Sequence, residues 1–260
     1  MGLSHSPKVQ QHMTGIALIT GSGRGIGAAT ARLAARRGYA VCINYLNRAE
    51  RAQAIADEIR AGGGRAILIQ GDTADEAAVI AMFETIDREL GRVTSLVNNA
   101  GITGKAGRLD SYDAAELRRV LDVNVIGVMF CVREAVKRMS TRNGGAGGTI
   151  VNLSSIAAVL GGANSWIPYA AAKGAINALT VGLSRELAGE GIRVNAIMPG
   201  LIDTEIHAEA GVGDRLKALM PTVPMGRIGT AEECAEAILW LMSNEAAYMT
   251  GALIPISGGR

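Results

Sequence analysis

Tyr169 and Lys173 stand four residues apart, separated only by alanines, in the segment WIPYAAAKGA (166–175). On a helix, side chains at that spacing lie one turn apart on the same face. Pro168 suits a first helical position and alanine is a good helix former, so the segment predicts a helix that begins here. A phenol and an ammonium group placed in this way form either a surface contact or a proton donor beside the cation that tunes it. The pair alone does not decide between these two alternatives.

The composition excludes several classes of partner. Lys and Arg outnumber Asp and Glu by 26 to 24, a net charge of +2 without the basic patch that is typical of nucleic-acid binding. No apolar run reaches the length of a membrane span, and the opening MGLSHSPKVQQHM lacks the apolar core of a signal peptide. Cys42, Cys131 and Cys234 lie in apolar segments and are interpreted as buried thiols, and the histidines lack metal-ligand spacing. We therefore expect a cytoplasmic protein with no metal, nucleic acid or membrane partner.

Short apolar runs alternate with helical segments along the chain. This order predicts parallel strands joined by crossover helices, and runs that are apolar throughout are typical of strands buried on both faces. Pro255 in the last run predicts an edge strand there. The predicted strands span 16–20, 40–44, 66–70, 95–99, 149–155, 192–200 and 252–257. The predicted helices run from the first glycines to about residue 38, and then over 48–61, 75–90, 113–141, 169–189 and 231–243. No linker divides the chain, so we expect one α/β domain over residues 14–260 after a disordered extension over residues 1–13.

The segment TGSGRGIG (20–27) joins the first predicted strand to the first helix. Gly21, Gly25 and Gly27 allow a tight turn, close approach of the backbone to a phosphate, and close packing of helix on strand. The start of the helix offers unpaired N–H groups and a partial positive charge. A glycine-rich loop alone is a weak signal, and a turn without a ligand is the alternative. Its place after the first strand of a βαβ unit favours binding of a nucleotide pyrophosphate.

This loop resembles the T-G-x-x-x-G-x-G signature of the short-chain dehydrogenase/reductase family. Further motifs of that family occur in its order, namely NNAG (98–101), Asn124, LSS (153–155), YAAAK (169–173) and PG (199–200). The resemblance covers residues 14–260. It implies a Rossmann fold with a doubly wound, mostly parallel sheet of seven strands in the order 3-2-1-4-5-6-7 and helices on both faces. It also implies an oxidoreductase that interconverts a small ketone or aldehyde and its alcohol by hydride transfer.

The resemblance assigns catalytic roles to four residues. Tyr169 corresponds to the tyrosine that gives its proton to the substrate carbonyl, and Lys173 to the lysine that tunes it and holds the nicotinamide ribose. Ser155 corresponds to the serine that orients the substrate oxygen, with Ser154 as the alternative. Asn124 corresponds to the asparagine that kinks its helix and holds a proton-relay water. The alternative interpretations are that Ser155 only ends a strand and that Asn124 caps a local break. Tyr169 and Lys173 would then be surface groups.

The pKa of Tyr169 is the quantity on which this chemistry depends. A free tyrosine has a pKa of about 10, which is high for an acid–base group at neutral pH. A cation about 4 Å away contributes up to about 4 kcal/mol in a partly screened site. At about 1.4 kcal/mol per pKa unit, we expect Lys173 to lower the tyrosine pKa by roughly two to three.

The end of the second strand decides which nicotinamide cofactor is expected. A carboxylate there would bind the ribose 2′-OH and favour NAD. The position is Tyr45, while Arg24 in the glycine loop and Arg48 after the strand suit a 2′-phosphate, so NADP(H) is favoured and NAD(H) remains the alternative. Solvated surface charges are the other interpretation of the two arginines. The resemblance implies further cofactor contacts from Gly21, Ser22, Gly23, Gly25, Ile26, Gly27, Asn44, Asp72, Thr73, Asn98, Ala100, Gly101, Tyr169, Lys173, Pro199, Gly200, Ile202 and Thr204.

The sequence constrains the substrate less than the cofactor. Residues 203–227 resemble a substrate lid in which His207, Leu219 and Met220 are expected to touch substrate, and an ordinary surface helix is the alternative. An apolar wall is expected from Ile156, Ala157, Trp166 and Ile167.

Several functions stay open at this point. Similar members of the family include reductases of 3-oxoacyl groups on acyl carrier protein and sugar dehydrogenases such as glucose 1-dehydrogenases. Glu190 stands where those reductases tend to carry a basic residue, which weakens the first alternative. A sugar or alcohol dehydrogenase that prefers NAD is another, and a catalytically silent NAD(P)-sensing protein is the rival from a different class. The resemblance also implies a homotetramer in which the helices over 113–141 and 169–189 pack across one interface.

Overall fold

Seven parallel strands form the frame of the molecule. A computed structural model describes residues 15–204 and 219–260, so the expectations for residues 1–13 and for His207 lie outside the described residues. Within them one sheet has the order β3-β2-β1-β4-β5-β6-β7, with every neighbouring pair parallel. The strands are β1 Gly15–Ile19, β2 Tyr39–Tyr45, β3 Ala66–Gln70, β4 Ser95–Asn98, β5 Gly148–Leu153, β6 Ile192–Pro199 and β7 Leu253–Ile256. The predicted Rossmann topology is confirmed, and the described sheet is parallel throughout.

Eight α-helices accompany these strands in the described ranges. They are α1 Gly25–Arg36, α2 Ala49–Ala61, α3 Glu76–Glu89, α4 Ala114–Leu121, α5 Gly127–Met139, α6 Ala157–Leu160, α7 Ile167–Leu187 and α8 Ala231–Met242. Several begin at side-chain caps, as where Asp75 accepts hydrogen bonds from the first N–H groups of α3. None of these helices is both long and apolar enough to cross a membrane.

The helix predicted over 113–141 is present as α4 and α5, which a π-helical turn joins. The turn spans Asp122–Ile126. Gly127 follows it, and a Cβ there would lie 2.7 Å from the carbonyl oxygen of Thr73. The backbone of the helix therefore runs close to the chain that leaves β3. π-turns of this kind occur often at functional sites, and this one carries Asn124.

The strands bury both faces, which explains their apolar composition. Ile19 belongs to a core beneath α1, α2 and α8, and its neighbour Leu18 belongs to a second core beneath α3, α5 and α7. Side chains alternate across a strand, so consecutive apolar residues serve opposite layers. Pro255 lies in β7 at the edge of the sheet, as predicted, where its missing N–H removes no bond to a further strand.

Candidate active site

A cleft of about 710 Å³ runs along the carboxyl ends of the strands. Parallel sheets of this kind bind ligands outside these ends, where the connections diverge to either side. The loops after β1, β2 and β3 line one end of the cleft, and those after β5, β6 and β7 line the other. The volume falls in the range of roughly 300–1,000 Å³ that is typical of ligand sites.

The glycine loop between β1 and α1 forms the floor of the first end. Gly21 and Gly25 have φ values of +61° and +52°, which side chains rarely adopt. A Cβ on Gly21 would lie 2.9 Å from the Cα of Ala100, and one on Gly27 would lie 2.5 Å from Nδ2 of Asn99. These positions therefore need glycine because of backbone conformation or close contact across the loop.

Buried polar side chains hold this loop in place. The N–H of Gly21 donates to Oδ1 of Asn44 at 3.1 Å, and Nδ2 of Asn44 donates to the carbonyl oxygen of Gly71 at 3.0 Å. Nδ2 of Asn99 donates to the carbonyl oxygens of Thr20 and Gly21. The loop is thus tied to the ends of β2, β3 and β4.

The start of α1 fits a diphosphate. Arg24 at its N-cap is extended and makes no side-chain cap, and the first turn carries no acidic residue. The first N–H groups and the positive end of the helix dipole are therefore not neutralised by a capping side chain. Gly21, Gly23 and Gly25 line the cleft here and leave room for a ligand to approach the backbone. We conclude that the residues present suit the pyrophosphate of a dinucleotide cofactor.

The end of β2 carries cations where an acid would favour NAD. Tyr45 ends the strand, and Arg48 at the N-cap of α2 lines the cleft with Arg51 one turn later. Among the described lining residues Asp72 is the only acidic one, and its carboxylate pairs with Arg119 at 2.8 Å. The sequence reasoning named neither Arg51 nor Arg119. Arg51 could have been predicted from the sequence, because it follows Arg48 by one turn of α2. Arg119 could not, because nothing in the sequence places α4 beside the chain that follows β3.

The second end of the cleft brings Ser155, Tyr169 and Lys173 together. Ser155 lies two residues after β5, and Tyr169 and Lys173 lie on the first turns of α7. The Ser155 hydroxyl lies close enough to the Tyr169 phenol to lower its pKa. Nζ of Lys173 lies 5.5 Å from the centre of the tyrosine ring. Ser154 instead donates to the carbonyl oxygen of Lys173 at 3.1 Å, which supports the choice of Ser155.

The protonation of this group is governed by burial. Burial raises the pKa of Tyr169, and the nearby Ser155 hydroxyl opposes that rise. The expected lowering of the tyrosine pKa by Lys173 is therefore not the net direction. Burial also lowers the pKa of Lys173 to about 8, while Nζ donates to the carbonyl oxygen of Leu153 at 2.7 Å. The Lys173 ammonium group therefore releases its proton more readily than that of a free lysine.

Asn124 faces the same group from the π-turn. Its Nδ2 donates to the carbonyl oxygens of Ile102 at 2.7 Å and of Val120 at 2.9 Å, while its buried Oδ1 has no hydrogen-bond partner. A Cβ on Gly101 would lie 2.7 Å from that Oδ1 and 3.5 Å from Nζ of Lys173. The glycine thus leaves the space between the amide oxygen and the ammonium group open.

Most of the predicted cofactor residues border the cleft. Four of the predicted site residues do not line it, namely Ser22, Gly27, Asn98 and Asn124. Ser22 and Asn98 are buried beneath the loop, and Asn98 donates to Asn152 at 2.9 Å. Asn99, which the sequence reasoning did not name individually, lines the cleft in place of Asn98.

The predicted substrate wall is partly reproduced. Ile156, Ala157, Trp166 and Leu219 line the cleft, whereas Ile167 and Met220 do not. Glu190, which stands where reductases of acyl carrier protein substrates tend to carry a basic residue, does not lie on the surface. That carboxylate is buried, bonded to Ser140 and paired with Arg142 at 3.1 Å.

Comparisons with known proteins agree with this geometry. A family model described as enoyl-(acyl carrier protein) reductase matches residues 21–260. The chain is 48% identical over 245 residues to the uncharacterized oxidoreductase YgfF of Escherichia coli (strain K12), covering 94% of this chain and 99% of that protein. It is 41% identical over 245 residues to cis-4-hydroxycyclohexanecarboxylate dehydrogenase of Sinomonas cyclohexanicum, covering 94% of this chain and 95% of that protein.

A solved structure extends the agreement to the backbone. A short chain dehydrogenase from Burkholderia cenocepacia J2315, crystallised in complex with NADP, matches with a TM-score of 0.85 at 35% identity. The match covers 94% of this chain and 96% of that one. Glycine loop, parallel sheet and matched length together show that the chain belongs to the short-chain dehydrogenase/reductase family of NAD(P)-dependent oxidoreductases.

Proposed function

We propose that the protein reduces a ketone or aldehyde to its alcohol, reversibly, with NADPH as the favoured cofactor. The observation that carries this proposal is that Ser155, Tyr169 and Lys173 line the same cleft as the glycine loop, with Nζ of Lys173 5.5 Å from the centre of the tyrosine ring. Two hydroxyl groups that line the same part of a cleft can both bond to one substrate oxygen.

Each side chain has a distinct task in this reaction. The bound cofactor supplies the hydride in reduction and accepts it in oxidation. Ser155 donates a hydrogen bond to the substrate oxygen and fixes its position. Tyr169 gives its Oη proton to that oxygen as negative charge develops there, and takes it back in the reverse direction. The ammonium group of Lys173 favours the phenolate that remains, since an opposite charge nearby stabilises the charged form.

Mutation of the tyrosine tests the chemistry directly. Tyr169→Phe keeps the ring and removes the proton donor, so we expect turnover to fall by about 10²–10⁴-fold. Binding of NADPH, followed by fluorescence titration, should change by less than about threefold because the ring remains. A variant that kept full turnover would overturn the proposed role, and a protein that binds cofactor yet reduces nothing would favour the sensor.

The substrate panel is chosen from the chemistry of the site and its relatives. It holds ketones, diketones, aldehydes, quinones and acyl thioesters, with alcohols and aldoses for the reverse direction. The 41% identical relative is named for a hydroxycyclohexanecarboxylate, so 4-oxocyclohexanecarboxylate and its methyl ester are included. Consumption of NADPH and of NADH is compared for each compound.

The preference for NADPH rests on the charges after β2. Arg24, Arg48 and Arg51 line the cleft, and Tyr45 occupies the place of the acid that would bind a free ribose. Arg48→Ala should raise the Kd for NADPH by about tenfold and leave that for NADH nearly unchanged, because the guanidinium would bind the 2′-phosphate. Arg88→Ala, on α3 outside the lining of the cleft, is the matched control. Equal weakening of both cofactors by Arg48→Ala would refute the assignment.

Assembly and location complete the proposal. Leu121, Ile126 and Met129 are exposed apolar side chains along α4, the π-turn and α5. The exposed residues of α7 before its last turn are small, namely Ala171, Ala178 and Gly182. These surfaces suit packing between copies in a homotetramer, which sedimentation of the purified protein tests. The three cysteines are buried and unpaired, which suits the reducing cytoplasm.

A further inference from the structure

Arg260 lines the cleft at the end opposite the glycine loop. It follows β7, the last strand of the sheet, whereas Arg24 and Arg48 follow β1 and β2. Sequence motifs gave no reason to single it out. A cation at this end of the cleft can bind a negatively charged group of a ligand.

A tight turn brings this arginine back over the strand ends. Gly258 and Gly259 have φ values of +63° and +91°, and they pack against Val223 and Pro224. The N–H of Met225 donates to the carbonyl oxygen of Gly258 at 3.1 Å. The hydroxyl of Ser257 donates to the carbonyl oxygen of Arg260 at 3.1 Å. The position of Arg260 is therefore fixed by backbone contacts on both sides of the turn.

The order of the strands decides which ligand Arg260 can reach. Neighbouring strands lie about 4.8 Å apart, so β7 lies about 10 Å from β5, which leads to Ser155, and about 24 Å from β2. An arginine side chain reaches on the order of 7 Å. Arg260 therefore covers most of the distance to the proton-donor group and less than a third of the distance to Arg48. By this spacing Arg260 lies nearer the substrate end than the cofactor phosphates.

No side-chain carboxylate pairs with Arg260 within the described part of the chain. Over residues 15–204 and 219–260 no carboxylate side chain lies within ion-pair distance of its guanidinium. The described acidic lining residue, Asp72, sits at the far end and is already paired with Arg119. Gly200, Leu201 and Leu219 also line the cleft and offer no negative group. Arg260 is partly buried, and a guanidinium is suited to a carboxylate, which it binds through two parallel hydrogen bonds.

We propose that Arg260 binds a carboxylate of the substrate, so that the protein acts on a compact apolar carbonyl compound bearing an acid group several bonds from the reacting carbon. The substrate class rests on the proposed function, but the anion site itself is tested by binding alone. Reaction and binding are therefore measured separately.

Calorimetry with two non-reducible probes tests the site. Cyclohexanecarboxylate and cyclohexanecarboxamide share the ring and differ in charge, and each is titrated into the protein with NADP⁺ bound, made without a C-terminal tag. We expect the carboxylate to bind about tenfold more tightly, and Arg260→Gln to abolish that preference while changing carboxamide affinity less than about twofold. Arg260→Lys should retain part of the preference, and Arg88→Gln, which removes the same charge from an exposed position on α3, should retain all of it.

Several results would overturn the proposal. They are equal binding of the two probes, failure of both to bind, and a preference that survives Arg260→Gln. Turnover of 4-oxocyclohexanecarboxylate and its methyl ester then separates the two hypotheses. Reduction of acid and ester with equal kcat/KM leaves the proposed reaction standing and removes the anion site. Arg260-dependent binding of the carboxylate without reduction of any compound leaves the site standing and removes the reaction.

Discussion

Replacing Lys173 by methionine should make the protein more stable near neutral pH, and the gain should shrink in alkaline solution. The side chain is 4% exposed, and burial lowers its pKa from the ordinary value of 10.5 to about 8. At about 1.4 kcal/mol per pKa unit, the charged lysine destabilises the folded state by about 3 kcal/mol. Methionine fills a similar volume without a charge. Its loss of the hydrogen bond to the carbonyl oxygen of Leu153 offsets part of the gain by about 1 kcal/mol.

The dependence on pH separates the charge from the packing. Below pH 8 the lysine is protonated in both the folded and the unfolded protein, so the full penalty applies. Between pH 8 and 10.5 the folded protein loses this proton first, the unfolded state binds more protons, and stability rises with pH. The difference in unfolding free energy between Lys173→Met and the parent should therefore fall by about 2 kcal/mol between about pH 7 and pH 9.5. The loss of the hydrogen bond to Leu153 lowers the stability of the variant by the same amount at every pH.

Urea unfolding followed by tryptophan fluorescence measures this difference. The buried thiols also titrate differently in the folded and unfolded states, but they do so in both proteins and cancel from the comparison. Lys105→Met, at an exposed position, controls for the introduction of a methionine. A stability difference that stays constant within about 0.5 kcal/mol across the pH range would refute the reasoning, since a buried charge must produce a pH-dependent term.

Two further substitutions test the glycine loop and the buried carboxylate of α5. Gly21→Ala should lower the free energy of unfolding by about 2 kcal/mol and weaken NADPH binding, because its Cβ would meet the backbone of Ala100 at 2.9 Å. The control is Gly63→Ala, at a φ of +81° in open space, which should lower it by only about 1 kcal/mol. Thermal unfolding measures both. Burial raises the pKa of Glu134, but hydrogen bonds from Lys137 and Arg138 outweigh it and hold the pKa below its ordinary value of 4.5. Glu134→Gln should therefore lose about 3 kcal/mol at neutral pH, with the difference shrinking as pH falls below about 4.5, and a pH-independent difference in urea unfolding would contradict this.

The parallel strands and the position of the site were predictable from local patterns, whereas the strand order was implied by the family resemblance. In a parallel sheet every strand ends at the same edge, so residues that follow apolar runs meet in one cleft whatever their separation in sequence. Gly21, Ser155 and Pro199 could be placed together on that ground alone. The one-turn spacing of Tyr169 and Lys173 likewise placed both side chains on one helix face. The assignment of one domain over residues 14–260 and the roles of the site residues stay predictions.

What the sequence did not reveal depends on contacts between distant elements. The π-turn around Asn124 inserts a residue into a pattern that otherwise continues as one helix, and it directly precedes Gly127, whose backbone lies close to the chain after β3. The ion pair of Arg119 with Asp72 and the return of Arg260 over the strand ends have the same origin. Periodicity records which face a residue occupies, but not which loop lies opposite.

The direction of the tyrosine pKa shows why charge spacing alone is insufficient. The sequence supplied the distance along a helix, and from it a cation that favours the phenolate. Burial acts on both partners at once, opposing ionisation of Tyr169 and favouring the neutral form of Lys173. A raised pKa keeps the phenol protonated, but it lies further from the neutral range in which general acid–base groups work best. The lysine then bears a stability penalty in the folded protein for a charge that is useful only once the phenolate forms, and the titration of Lys173→Met measures that penalty.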